Sequence, residues 1–120
     1  MTELDIRQYL EDNGYPRHVV KGGREGLIAR WGQFVEEVEK GYQFTLEDYR
    51  GDLDGRAIIH LIGADSNVEE YDVRLNQMLT ATHVRVWESA GGSPFWDFGY
   101  PKNARGDLRQ GLKTQGLWET

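Results

Sequence analysis

Ile28, Trp31, Phe34, Val35 and Val38 recur at steps of three and four residues, with Glu36, Glu37 and Glu39 mostly on the other side. A half-buried strand would repeat every two residues. This period predicts an α-helix of about four turns with one apolar face, closed by Lys40-Gly41. Such a face has to be covered, so the chain is committed to packing helices on one another.

Two other segments carry a shared start signal. Thr2-Glu3-Leu4-Asp5 and Thr45-Leu46-Glu47-Asp48 each place threonine at a cap and aspartate at the third helical position. The first predicts a helix with Leu4, Ile6, Tyr9 and Leu10 inward. Asn13-Gly14 ends it, and Pro16 follows the stop. The second predicts a helix with Leu46, Tyr49, Leu53, Ala57 and His60-Leu61 as its inner stripe, capped by Gly63. Gly51 and Gly55 interrupt this helix at a cost of about 1 kcal/mol each relative to alanine. Four apart, they share a face, which implies a bend or a close approach. Between these helices, RHVVKGGREG (17–26) reads as one helical turn from Pro16 through Lys21, closed by Gly22-Gly23. Ser66 or Asn67 opens another helix, with Val68, Tyr71, Leu75, Met78 and Leu79 inward.

The period then changes. His83-Val84-Arg85-Val86-Trp87-Glu88 alternates in steps of two, SAGGSP (89–94) is turn chemistry, and Phe95 to Tyr100 alternates again. This predicts a hairpin with a six-residue loop. Alternation sends Trp96, Phe98 and Tyr100 to one face, available to cover helices. Trp87 and Phe95 are left over as candidates for contact with a partner. The tail predicts a weak helix around Leu108 and Leu112, broken by glycines at 106, 111 and 116, with Leu117-Trp118 as an anchor. The expected architecture is mainly α: a single domain over 1–120, a bundle of three to four helices with a C-terminal β-hairpin packed on it.

At 120 residues the chain supports one core rather than two. It has no cysteine, which removes disulfides, thiol nucleophiles and cysteine metal sites and favours a cytoplasmic setting. The N-terminus is charged from its third residue and lacks a signal-peptide core. No apolar run approaches the length of a membrane span. The net charge of −6 makes nucleic acid a poor partner. Residues 1–97 hold 10 basic and 18 acidic groups, whereas 98–120 hold four and two, so a basic tail follows an acidic body.

No catalytic constellation stands out. His18, His60 and His83 lack the spacing that sets two imidazoles on one metal. His60, between Ile59 and Leu61, reads as a core-edge residue. RGDLDG (50–55) fails as a calcium loop, because aligning Gly55 as the sixth residue puts Arg50 first and Leu61 twelfth. KGGREG (21–26) lacks the first glycine of a dinucleotide loop and carries Glu25 where phosphate would sit. Ser66, Ser89 and Ser93 fall at caps or turns.

The carboxylates Glu47, Asp48, Asp52 and Asp54 hold more interest. Asp48 and Asp52 share a helix face, and with Glu69, Glu70 and Asp72 they could build an acidic pocket. Solvated faces paired with Arg50, Arg56 and Arg74 explain the same residues more simply. The function expected is therefore a small, acidic, non-catalytic protein-interaction domain, an inhibitor or adaptor for a basic protein partner, or one that self-associates. Its binding residues are Glu47, Asp48, Asp52, Trp87 and Phe95, with no cofactor or metal and no nucleic-acid or membrane partner. The alternative is a small metal-dependent hydrolase using the helix carboxylates. A concave pocket with converging carboxylates would favour the second, and a flat aromatic and acidic patch the first.

Overall fold

The computed structural model describes residues 2–79 and 100–118. Within them lie five α-helices: α1 (Glu3–Asp12), α2 (Arg17–Lys40), α3 (Leu46–Leu61), α4 (Glu69–Met78) and α5 (Gly106–Thr114). A single 3₁₀ turn, Asp65–Asn67, precedes α4. The α2 helix is the hub, packing against α1, α3 and α4, while α5 packs on α3.

The two start signals act as expected. Thr2 Oγ1 accepts from the Asp5 amide, and the Asp5 carboxylate accepts from the Thr2 amide. Thr45 and Asp48 repeat the arrangement at the head of α3. The stop signals hold as well. Gly41 closes α2 at a φ of 106°, in the left-handed region where glycine is favoured. The turn from Pro16 does break at Gly22-Gly23, because Gly23 leaves helical geometry at φ 57°. The carboxylate of Glu3 then caps the restart, accepting from the Arg24 amide at 3.2 Å. The KGGREG segment therefore already receives an anion from its own chain.

Trp31, Val35 and Val38 of α2 are buried, as their register requires. Phe34 is buried too, with Trp31 stacked on it at a centroid distance of 5.0 Å. Tyr42 and Tyr49 complete the aromatic cluster, at 5.7 and 5.8 Å from Phe34.

Four expectations need correction. Leu4, expected inward in α1, is 79% exposed, while Ile6 and Leu10 carry the buried face. Among the described residues the helix count is five rather than three to four, since α5 forms despite its glycines by burying Leu108 and Leu112 completely. The inner stripe of α3 does not end on His60 and Leu61, which are exposed; Ile58, Ile59 and Ile62 are buried instead. Arg56, in line with Tyr49 and Leu53, is buried as well and meets Asp72. Finally, α4 begins at Glu69 and not at Ser66 or Asn67, whose neighbourhood is the 3₁₀ turn. Asn67 accepts from Arg24 Nη2 at 2.9 Å rather than capping a helix.

The hairpin expected over 83–100 lies outside the described residues, except for Tyr100, which packs on the core 6.1 Å from Tyr49. Among the described residues there is no strand, only an isolated antiparallel bridge between Leu79 and Pro101. No helix among them is long and apolar enough to cross a membrane.

Candidate functional site

The packing of α3 on α2 leaves a cleft along their shared edge. It has two lobes that share Arg30, Phe34 and Asp52. The first, of about 390 Å³, runs over Gly51 and Gly55 towards Tyr15 and His18. The second, of about 420 Å³, opens between Glu36, Glu37 and Phe44.

The glycines explain the first lobe. At about 100° per residue, Gly51, Gly55 and Ile58 lie on one strip of α3, with Asp52 and Asp54 on either side. A Cβ at Gly51 or Gly55 would meet nothing within 4 Å among the described residues. No described part of the chain therefore makes the close approach that their spacing suggested. Gly32 is the contrasting case: a Cβ there would lie 2.8 Å from the Tyr71 ring.

Asp52 stands where the lobes meet. Its Oδ2 accepts from the Tyr42 hydroxyl at 2.6 Å. Loss of surrounding water pushes its carboxyl above the usual range, helped by the charges of Asp48 and Glu37 and opposed by the Tyr42 bond and Arg30. Asp54 is also pushed up, by loss of water alone. The Tyr42 hydroxyl is driven far upward by burial and by its bond to Asp52, so it stays a donor. On the α2 wall, Arg30 Nη1 lies 3.5 Å from His18 Nε2.

Asp48 and Asp52 share a face but have separate duties, since Asp48 turns back to cap Thr45. Glu47 is exposed on the first turn of α3. Trp87 and Phe95 lie outside the described residues. Neither lobe includes Glu69, Glu70 or Asp72. Asp72 is not part of an acidic pocket: it is buried, accepting from Arg56 Nη2 at 2.9 Å and from the Trp31 indole at 3.0 Å. Arg56 is itself buried and also pairs with Asp65 at 2.7 Å, and Asp65 meets His60 Nδ1 at 2.9 Å. Among the described residues, no group of three or more His, Asp or Glu side chains is placed to hold a metal ion.

Sequence reasoning missed Tyr15, His18, Arg30 and Phe44 as parts of the cleft. The spacing of Gly51 and Gly55 was the one signal that pointed there. Comparison with known proteins finds no matching family model, no matching curated protein and no matching solved structure.

Proposed function

We propose that the protein is a non-catalytic interaction domain that holds a basic protein partner along the α2–α3 edge. The observation that carries this reading is the second lobe. Phe44 is 47% exposed there, beside Glu36, Glu37 and Asp52. A large exposed ring next to three carboxylates suits an apolar anchor ringed by basic side chains. Lys40 and Arg30 offset part of the charge, but Glu47 and Asp48 extend the acidic surface past the head of α3. Trp87 and Phe95, in the hairpin read from the sequence, are proposed to join this surface on the sequence grounds given above. The cytoplasmic setting belongs to the same proposal.

Metal-dependent hydrolysis has weaker support, because Asp48 and Asp52 are already bonded to Thr45 and Tyr42. The test is affinity capture from the source cell with wild-type protein and with Phe44→Ala and Glu37→Lys, followed by mass spectrometry. A captured protein with a basic surface, lost with both variants, supports the reading. Capture that is indifferent to both variants, or self-association alone, opposes the basic-partner reading.

A further inference from the structure

The first lobe has a different chemistry from the surface around Phe44, and none of Glu36, Glu37 or Phe44 lines it. Its floor is apolar, made by Val19, Leu27, Trp31 and Ile58 with the bare backbone of Gly51 and Gly55. Its volume of about 390 Å³ lies within the range of small-molecule sites, about 300–1,000 Å³. Two carboxylates, Asp52 and Asp54, flank the glycine strip, and loss of water holds both above their ordinary range. For Asp54 the shift comes from loss of water alone. The opposite wall offers Arg30 and His18. Two carboxylates face one guanidinium across the lobe.

Glycine inside a helix weakens it. At Gly32 the closeness of Tyr71 explains the residue, whereas at Gly51 and Gly55 no described neighbour does. The space is open over an apolar floor, between acidic flanks. We propose that this lobe is a binding site for a small organic cation, an amine or guanidine carried on an apolar body. The body would lie over Gly51 and Gly55 against Trp31 and Ile58. The cationic head would lie at the rim against Asp52 or Asp54, and the aromatic lining would add to its attraction. An anion of the same shape would reach Arg30 but would face both carboxylates.

The test uses two probes of one shape and opposite charge, 2-phenylethylammonium and 3-phenylpropionate, titrated into ¹⁵N-labelled protein. The cation is expected to move amides at 15–19 and 51–58 saturably, with a Kd of about 1 mM, as suits so small a ligand. Asp54→Asn should weaken it several-fold. Gly55→Leu should abolish it while leaving the helical circular dichroism and the melting temperature intact. Phe44→Ala should leave it unchanged, so this site stands or falls apart from the partner surface. The proposal is overturned if the anion binds as well as the cation, or if neither shifts those amides. It is also overturned if Gly55→Leu lowers the melting temperature sharply, which would place part of this chain in the lobe.

Discussion

The indole Nε1 of Trp31 donates to Oδ1 of Asp72 across 3.0 Å, in the middle of the core. The same carboxylate holds the buried Arg56, so one bond joins the apolar stripe of α2 to an ion pair between α3 and α4. Asp72→Ala takes from the buried Arg56 charge a carboxylate that meets it with both oxygens. It should cost about 3–5 kcal/mol, which would unfold many domains of this size. Replacing both members, as Arg56→Met with Asp72→Leu, should cost far less in urea titrations.

Trp31 can be taken apart further. Trp31→Phe keeps a ring against Phe34 but removes the donor to Asp72, and should cost about 1–3 kcal/mol. Trp31→Ala also opens a cavity and should cost about 3–5 kcal/mol. Equal effects in chemical denaturation would mean that the bond adds nothing to packing.

The glycines should sort by their surroundings. Gly55→Ala has open space and should stabilise by about 1 kcal/mol. Gly32→Ala meets the Tyr71 ring, and Gly23→Ala has a φ of 57° with the Glu3 carboxylate in its way. Both should lower the melting temperature. The contrast separates a glycine that serves packing from one that leaves a cleft open.

Two aspartates should respond to pH in opposite directions. For Asp65, burial pushes the carboxyl up, but bonds to Arg56 and His60 outweigh it, and the folded value lies below the ordinary 3.8. Its contribution is complete above 3.8 and is lost as pH falls through the lower folded value. Asp54 is the reverse: its folded value lies above 3.8, so the folded state gains stability as pH falls through that value. At pH 7, Asp65→Asn should therefore destabilise, by about 1–3 kcal/mol. Asp54→Asn should stabilise slightly, by less than about 0.5 kcal/mol. Both differences should shrink in acid, as measured by thermal melts across pH.

The cap at α3 tests the role of Asp48. Thr45→Ala should cost about 1 kcal/mol, and Asp48→Ala a similar amount, because they are two halves of one box. Millimolar calcium should leave the melting temperature of either variant and of the wild type unchanged, since RGDLDG is helical in α3 and forms no loop. A rise of many degrees would return Asp48 and Asp52 to the role of metal ligands.

The helix starts and the α2 register were legible because each rests on local chemistry: a threonine three residues before an aspartate, or apolar residues one turn apart. The far end of α3 was not legible. An arginine in a helix reads as solvent-facing, but Asp72 and Asp65, arriving from elsewhere in the chain, pair with Arg56 inside the fold. The cleft was half legible. Gly51 and Gly55 marked a face without side chains, but Tyr15, His18 and Arg30 reach it only through the packing of α2 on α3. Asp48 and Asp52 were paired correctly on one face, yet periodicity does not show that Thr45 and Tyr42 already hold them.

The central claim is that the α2–α3 edge is the surface a partner meets. The most direct measurement is amide chemical-shift mapping of the ¹⁵N-labelled protein with the partner recovered by capture. The account predicts shifts or broadening concentrated at residues 30–40 and 42–55, centred on Phe44, Glu37 and Asp52 and reduced by added salt. Perturbations confined to α1, α4 and α5, with the α2–α3 edge unchanged, would contradict it.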